Sequence, residues 1–219
     1  MKNFLLPLLF ISIYSFTNAQ PSPSSEDWKL RKNENGIVIY SRHQDGVPID
    51  EIKVVSVLHA SLSAVVAMLM DVDHYTDWIF RCSESKLLQQ VSATEQYQYQ
   101  KNDAPYPVSD RDIVVHFTIW QDPNTKVVYT RSVGTPDYVP TNSGVVRIPM
   151  FDAGYILTPL PNGDVQVVYT LMLDPGGSLP DWVVNWSIVT GPYETTIKMP
   201  VQVLKVDYQN KKFSFIVDE

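Results

Sequence analysis

The sequence predicts an α+β domain in which a long antiparallel sheet is followed by one long amphipathic helix. Between positions 86 and 173, short segments rich in β-branched and aromatic residues alternate with turn sequences. Their spacing is too short for the helical crossovers that parallel strands need, so the strands are expected to be antiparallel. After them, apolar residues recur at steps of three and four from Leu179 to Leu204, which is typical of a helix with one apolar face.

The first 26 residues are expected to precede the folded domain. Residues 1–19 combine Lys2, an apolar run and the small residues of Thr17-Asn18-Ala19, which is the pattern of a cleaved signal peptide. The alternative is a membrane anchor, but a proline interrupts the run, which is shorter than a span of ~20 apolar residues. We therefore expect an exported protein, periplasmic or secreted, that begins after Ala19 with a flexible Pro/Ser-rich segment over 20–26.

Charge and cysteine content narrow the class of protein. The chain has 17 basic and 24 acidic residues and a net charge of −7, which argues against nucleic acid as a partner. Cys82 is the single cysteine, so no internal disulfide can form, and we expect it to be a small buried hydrophobic residue. The folded domain is expected over 27–207. A tail over 208–219 would follow, either as an added strand or as a frayed end.

The folded part is expected to open with a helical turn at Asp27–Leu30 and a hairpin. The hairpin strands are predicted at Gly36–Arg42 and Ile49–Ala60, on either side of the Asp45-Gly46 turn signal.

Two helices and the rest of the sheet follow. Ser61 is a suitable N-cap for a helix over Ala64–Met70, and a second short helix is expected at His74–Phe80. Further strands are predicted at Lys86–Val91, Glu95–Lys101, Asp112–Trp120, Thr125–Val133, Gly144–Pro149, Gly154–Pro159 and Val165–Leu173.

The final helix would be ~39 Å long if it ran unbroken from Leu179 to Leu204 at 1.5 Å per residue. Pro192 and Pro200 each remove a backbone donor, so we expect a kink near Gly191 and a weak end near Pro200. A twisted sheet cannot pack flat against so long a helix everywhere. The gap between them is expected to be filled by side chains or left for a ligand.

Several segments together resemble a known family, the START domains of the steroidogenic regulatory protein type. They are "GIVIYSR", "MDVDHYTDW", "PYPVSDRDIVV", "SGVVRIP", "GYILTPLPNGDVQVVYTLMLDPGGSLPDWVVNW" and a late "GP". The resemblance runs from about Trp28 to Leu204 in the family's order. Its most specific part is the Arg111-Asp112 pair, followed by the Asp-x-x-Gly-x-Leu-Pro pattern that ends at Pro180.

The resemblance implies a helix-grip fold, in which a curved antiparallel sheet holds a long C-terminal helix with a lipid tunnel between them. It also implies an entrance gate formed by that helix and the loop over Gly134–Ser143. In sterol-carrying relatives, an arginine stands in the cavity six residues after the arginine of the Arg-Asp pair. Here that position is Phe117. A sterol is therefore one candidate ligand among several.

Strand alternation and the helical stripe select candidate ligand-binding residues, since one face of each strand points inward. We expect the cavity to be lined by Tyr97, Tyr99, Ile113, Val115, Phe117 and Ile119 of the sheet and by Val183, Trp186, Tyr193 and Ile197 of the helix. Arg111 and Asp112 are interpreted as a structural ion pair at the start of a strand rather than as an anion site.

The sequence contains no strong catalytic or metal-binding motif. Asp71, Asp73 and His74 have the residue types of a metal site, but carboxylates at helix ends are better explained as caps. The other histidines share no ligand spacing, and the sequence has no nucleophile elbow, phosphate-binding loop or dinucleotide motif. We therefore predict no catalytic residues, no metal and no cofactor.

The resulting hypothesis is an exported, monomeric lipid-binding or lipid-transfer protein that holds one hydrophobic ligand. Transient contact with a membrane is compatible with it. The alternative is a helix-grip enzyme, a cyclase or hydrolase that acts on a small hydrophobic substrate. The polar content of the cavity separates the two, because catalysis needs a titratable group with a perturbed pKa inside it.

Overall fold

The computed structural model describes residues 28–218. The predicted signal peptide and the segment over 20–26 lie outside these residues. Within them, no helix is both long enough and apolar enough to cross a membrane.

The structure is built on one ten-stranded sheet with the strand order β1-β2-β3-β10-β9-β7-β6-β5-β4. Neighbours along this path are antiparallel, and the short β8 pairs with β6 in parallel. The predicted antiparallel sheet is therefore confirmed. The strands are β1 Lys29–Glu34, β2 Ile37–Arg42, β3 Glu51–Leu58, β4 Cys82–Ser92, β5 Glu95–Asn102, β6 Asp110–Gln121, β7 Val128–Gly134, β8 Val145–Arg147, β9 Met150–Pro159 and β10 Val165–Asp174.

The first strand corrects the predicted helical turn at Asp27–Leu30, because Lys29 and Leu30 belong to β1. Asn35 and Gly36 have φ values of 52° and 74°, which suit a two-residue hairpin turn between β1 and β2. The Asn-Gly pair is a strong hairpin signal, and it outweighs the weak helical pattern before it.

The helices α1, Leu62–Met70, and α2, Tyr75–Trp78, lie between β3 and β4, with a 3-10 turn over Val72–His74 between them. The predicted cap of α1 is confirmed, since the Ser61 hydroxyl accepts a hydrogen bond from the Ala64 amide at 3.2 Å.

The predicted long C-terminal helix is divided into three: α3 Asp181–Thr196, α4 Met199–Gln202 and α5 Val206–Gln209. Helix α3 continues through Gly191-Pro192, and the expected kink there stays a prediction. The break comes after Thr196, because the ring of Pro200 would clash with the carbonyl four residues earlier if the helix continued. Pro200 lies instead in the first turn of α4, where proline is tolerated.

The tail packs onto the domain without forming a strand. Tyr208 and Ile216 are buried, and Phe213 and Phe215 pack against the same core. The Asp218 carboxylate accepts hydrogen bonds from the Ser63 amide at 2.7 Å and the Ser63 hydroxyl at 2.9 Å, at the start of α1.

The helices cover one face of the sheet, which we call the inner face, and divide it into two regions. At one end, α1 and the tail pack on Phe117, Ile119 and Leu157. At the other end, α3 crosses β2 and β3, where Ile188 packs among the buried aliphatic residues of those strands. The architecture matches the helix-grip expectation. Cys82 is buried as predicted, and desolvation raises the pKa of its thiol to about 11.

Candidate ligand-binding cavity

A cavity of about 320 Å³ lies between α3 and the part of the inner face that α1 leaves uncovered. This volume is within the range of pockets that hold small molecules. Its wall comes from β3, β5, β6, β9 and β10, and its roof comes from α3. The sequence expectation of a gap between sheet and helix therefore corresponds to an actual cavity.

The wall is mostly aliphatic and aromatic. Tyr169 of β10 and Tyr155 of β9 are cross-strand partners with ring centroids 4.6 Å apart, and both line the cavity. The same faces of these two strands contribute Phe151, Leu171 and Leu173. Strand alternation on β9 and β10 predicts these residues in the same way as alternation on β5 and β6 predicts the residues of those strands.

The roof is closed by contacts between α3 and the segment that follows α2. The rings of Trp186 and Phe80 meet edge to face with centroids 5.5 Å apart. The Thr195 hydroxyl accepts a hydrogen bond from the Phe80 amide at 3.0 Å. Gly191 and Pro192 lie between these two contacts along the helix and line the cavity.

Three of the predicted ligand-binding residues line this cavity: Ile113, Val183 and Trp186. Their contact with a ligand stays a prediction. Phe117 and Ile119 share the inner face with Ile113 but lie farther along β6, where they pack in the core that contains α1. Val115, which lies between Ile113 and Phe117 on the same face, is buried and does not line the cavity. Strand alternation identified the correct face of β6. It did not show where along the strand the cavity ends and the packing against α1 begins.

Tyr97 and Tyr99 do not line the cavity, so their expected inward orientation was wrong. They pair with His116 and Val114 of β6, whereas the inward residues of β6 pair with Gln96, Gln98 and Gln100. The inner face of β5 is therefore the glutamine face.

The loop between β7 and β8 covers the two tyrosines on the outer face. The rings of Tyr97 and Tyr138 stack with centroids 4.0 Å apart, and Asn142 Nδ2 donates to the Tyr99 hydroxyl at 3.1 Å. Inside, the Gln96 side chain donates to the Met70 carbonyl at 3.0 Å. Both faces of β5 are thus covered, and a sequence cannot show which apolar face is covered by a loop.

Tyr193 and Ile197, at the end of the predicted stripe, are also absent from the cavity. The Tyr193 hydroxyl accepts a hydrogen bond from Asn35 Nδ2 at 2.7 Å, and Lys32 Nζ lies 4.2 Å from the centre of its ring. Tyr193 therefore faces the β1–β2 edge of the sheet. Ile197 lies just past the end of α3 and is 37% exposed.

The loop implied by the resemblance as a gate, Gly134–Ser143, contributes no residue to the cavity lining. The loops that do contribute lining residues include 103–108, between β5 and β6, and 175–179, before α3. The role of this loop as a gate stays a prediction.

The predicted ion pair between Arg111 and Asp112 is corrected as well. Asp112 is on the outer side of β6 and pairs with Arg147 at 2.8 Å, in an almost fully buried contact. Arg111 points to the opposite side and lines the cavity. Adjacent residues of a strand alternate between faces, so the two side chains cannot form one pair along a regular strand.

Arg111 is the functional candidate that the sequence analysis missed. Its Nη1 donates to the Ser109 carbonyl, and its Nη2 donates to the Gly176 carbonyl at 3.4 Å. Its Nε is buried without a hydrogen-bond partner. Desolvation lowers the pKa of this guanidinium from its ordinary value. Arg111 lies two positions before the inward Ile113, so strand alternation could have placed it at the cavity, but the adjacent aspartate suggested a partner instead.

The hydroxyls of Tyr155 and Tyr169 are the other buried titratable groups at the cavity. Burial raises the pKa of both phenols above the ordinary value of 10, and for Tyr155 the neighbouring Tyr169 adds to the shift. Both are therefore neutral hydrogen-bond donors at physiological pH. A neutral phenol can hold a polar group of a ligand but is a poor base.

The Asp71, Asp73 and His74 cluster lies away from the cavity. Asp71 accepts a hydrogen bond from the Tyr208 hydroxyl at 2.9 Å, and Asp73 accepts one from the Leu87 amide at 2.9 Å. His74 pairs with Asp71 at 2.9 Å. These carboxylates connect α1 to β4 and α5, rather than capping helix amides as predicted. In the part of the chain that the structure describes, no three metal-ligating side chains come together.

Comparison with known proteins agrees with this geometry. The START domain family model matches residues 17–202. An uncharacterized protein of Pseudomonas aeruginosa is 33% identical over 171 residues, which cover 78% of this chain and 84% of that protein. The phosphatidylcholine transfer protein of Mus musculus is 26% identical over 179 residues, with 78% and 81% covered.

Solved structures of related proteins have the same fold as this chain. The STAR-related lipid transfer protein of Xanthomonas axonopodis is 35% identical and superposes with a TM-score of 0.74 over 80% of this chain and 98% of that chain. The human StAR-related lipid transfer protein 5 has the same fold, with a TM-score of 0.74 at 17% identity over 83% of this chain and 88% of that chain. This chain therefore belongs to the START domain family.

Proposed function

We propose that this protein binds one hydrophobic ligand, a lipid or a sterol-like molecule, in the cavity beneath α3 and transfers it chemically unchanged. The observation that carries the proposal is the mostly apolar cavity between the inner face and the α3 roof. Burying an acyl chain there would contribute ~0.8 kcal/mol per methylene, so a modest length of chain is enough for tight binding.

The relatives support a lipid as the ligand. The Xanthomonas axonopodis relative is named for lipid transfer, and the mouse relative is named for phosphatidylcholine transfer. Phosphatidylcholine is therefore a first candidate for testing. We further propose that the chain acts as a monomer, which light scattering of the purified protein would test.

The alternative of a helix-grip enzyme needs a base or nucleophile in the cavity. The titratable groups that line the cavity are two phenols, two guanidinium groups and the carboxylates of Asp50 and Asp103. Asp50 is bound by Ser41 and Arg31, and Asp103 is exposed, so this set suits binding better than proton abstraction. Incubation with candidate esters and phospholipids should return them unaltered. Turnover that disappears in Tyr169→Phe would favour the enzyme instead.

We also propose export, with cleavage after Ala19, on the basis of the apolar N-terminal run and Thr17-Asn18-Ala19. The intact mass of the protein from the extracytoplasmic fraction tests this. A mature chain that starts at Gln20 supports export, and a chain that retains residues 1–19 contradicts it.

The main experiment is to purify the protein from its source cells and identify extracted lipids by mass spectrometry. We expect about one lipid per chain. A variant with a filled cavity, Leu171→Trp, is the control and should carry much less lipid while keeping its circular dichroism spectrum. Equal lipid in both proteins would place the lipid outside the cavity and contradict the proposal.

A further inference from the structure

The six arginines of this chain fall into two groups. Four lie within ion-pair distance of a carboxylate, and the partners are Asp50 for Arg31, Glu51 for Arg42, Asp152 for Arg131 and Asp112 for Arg147. The other two, Arg81 and Arg111, have no carboxylate oxygen within 4.0 Å among residues 28–218. These two are the arginines that line the cavity.

Arg81 and Arg111 lie at the same end of three adjacent strands. The residue that follows Arg81 begins β4, and Arg81 Nε donates to the Asp103 carbonyl at 2.8 Å, just past the end of β5. Asn102, the last residue of β5, pairs with Arg111 near the start of β6. One end of the cavity therefore carries two positive charges, the exposed Arg81 and the half-buried Arg111.

Three carboxylates lie near this end, but none of them forms a close ion pair with either arginine, and Asp110 acts on Arg111 only at longer range. Asp50 lines the cavity but interacts with the Ser41 hydroxyl at 3.1 Å and with Arg31 at 3.8 Å. Asp110 accepts a hydrogen bond from the Ala104 amide at 3.0 Å and lies 3.5 Å from Lys101 Nζ. Asp103 also lines the cavity, where it is exposed to solvent.

Arg111 is held in position but is incompletely satisfied. Backbone carbonyls of Ser109 and Gly176 accept from its two terminal nitrogens, while its buried Nε has no acceptor. A buried cationic donor without an acceptor costs more free energy than an ordinary unpaired group. Nε itself is inaccessible, so an oxyanion in the cavity would bind the terminal nitrogens, each of which has one N–H beyond its bond to a carbonyl. It would supply the missing negative charge in the paired geometry that guanidinium favours.

We propose that the cavity of this protein selects amphiphiles with an anionic head group, a carboxylate or a phosphate, which binds Arg111 with Arg81 beside it at the opening. The apolar part of the ligand extends along Leu171 and Tyr169 beneath α3. The inference rests on the proposed function, and it names the chemical class of the ligand.

The test compares two probes that differ only in charge. cis-Parinaric acid and its methyl ester have the same fluorescent chain, and only the acid is ionised at pH 8. We expect wild-type protein to bind the acid at least about tenfold more tightly than the ester. One charge-assisted hydrogen bond to a buried cation is enough for that preference.

Substitutions then test whether the preference for the acid depends on Arg111. Arg111→Gln should weaken binding of the acid about tenfold and leave the ester unchanged, and Arg111→Lys should retain part of the preference. Arg131→Gln removes an arginine from an exposed ion pair outside the cavity and should change neither probe. A long-chain alkyl phosphate should displace the acid, whereas inorganic phosphate at the same concentration should not if the ligand is an amphiphile rather than a free anion.

The outcomes separate this inference from the proposed function. Equal binding of acid and ester by wild-type protein overturns the charge selection and leaves the lipid-binding proposal intact. If neither probe binds, the lipid-binding proposal itself fails. If Arg111→Gln does not fold, the wild-type comparison and Arg81→Gln, an exposed site, decide the question. An unchanged acid preference in a folded Arg111→Gln protein also overturns the inference.

Discussion

The Asp112 carboxylate forms two hydrogen bonds with the Arg147 guanidinium, Nε to Oδ1 at 2.8 Å and Nη2 to Oδ2 at 3.1 Å. The two side chains are 1% and 6% exposed. The remaining arginine donors bind the carbonyls of Pro136, Val139 and Pro140. This pair therefore fixes the loop between β7 and β8 against the outer face of the sheet.

Removing the charge of Asp112 should destabilise the fold strongly. Asp112→Asn leaves Arg147 buried without a counter-ion, so we expect a loss of about 3–5 kcal/mol in the free energy of unfolding. The control is Asp152→Asn, which breaks the exposed pair with Arg131 and should cost less than about 1 kcal/mol. Equal costs in urea denaturation would contradict the structural role of the Asp112–Arg147 pair.

Replacing Gly191-Pro192 with Ala-Ala should slow ligand exchange. Pro192 cannot donate to the Ile188 carbonyl, so α3 is weakened where it forms the roof. A Cβ at Gly191 would lie 3.8 Å from Phe80 Cδ1, an ordinary contact. Helix propensity improves by ~1 kcal/mol at the glycine and up to ~3 kcal/mol at the proline. The rates of ligand binding and of ligand release should therefore both fall about tenfold or more, while the affinity changes little.

Stopped-flow transfer of a fluorescent lipid between vesicles measures these rates. Pro161→Ala is the control, because Pro161 is exposed in the turn between β9 and β10 and does not line the cavity. Unchanged exchange in the folded Ala-Ala variant would show that the pair only adjusts helix packing.

Trp186→Ala should have the opposite effect on release. It removes the ring that meets Phe80 in the roof, so we expect release to accelerate about tenfold from ~1.4 kcal/mol of lost apolar contact. Trp182→Ala serves as the control, since Trp182 is 54% exposed in the same helix and does not line the cavity. Similar acceleration in both variants would rule out a specific role for the Trp186–Phe80 contact.

Phe117→Arg should destabilise the protein rather than create a sterol site. Phe117 is 3% exposed and packs in the core with α1, away from the cavity. An arginine there would be a buried charge without a partner, with an expected cost of about 3–5 kcal/mol. Trp120→Arg, on the exposed outer face of the same strand, should reduce the free energy of unfolding much less. A stable Phe117→Arg protein with increased sterol affinity would contradict this placement.

The tail contact should make stability depend on pH. Desolvation raises the pKa of Asp218, but the hydrogen bonds from Lys212 and Ser63 together outweigh it, and the net shift is below the ordinary value of 3.8. A carboxyl with a lowered folded pKa stabilises the fold above its unfolded pKa and loses that contribution as pH falls through the folded value. Asp218→Asn should therefore cost about 1–3 kcal/mol at pH 7, and this cost should disappear as pH falls from the ordinary value through the folded pKa.

Thermal or urea unfolding of both proteins across this range gives the difference in stability. Asp207→Asn, at an exposed position of α5, should change stability little at any pH. A cost of Asp218→Asn that does not vary with pH would show that its ionised form makes no special contribution to the tail contact.

The sequence by itself determined the class of fold. Alternating strands at hairpin spacing from position 86 onward, the Ser61 cap and the apolar stripe after Leu179 are local signals, and each depends on residues close together in the chain. The gap between sheet and helix also followed, because it is a consequence of packing a twisted sheet on a long helix.

Only the tertiary structure decided which residues meet in that gap. The period of a strand shows that Tyr97 shares a face with Tyr99, but not that a loop some 40 residues later covers that face. Likewise, the adjacency of Arg111 and Asp112 in sequence suggested a pair, while the pleat directs Asp112 to Arg147 and leaves Arg111 at the cavity. Side-chain partners are set by which distant segment lies above each face, and that depends on the packing of the whole chain rather than on any local pattern.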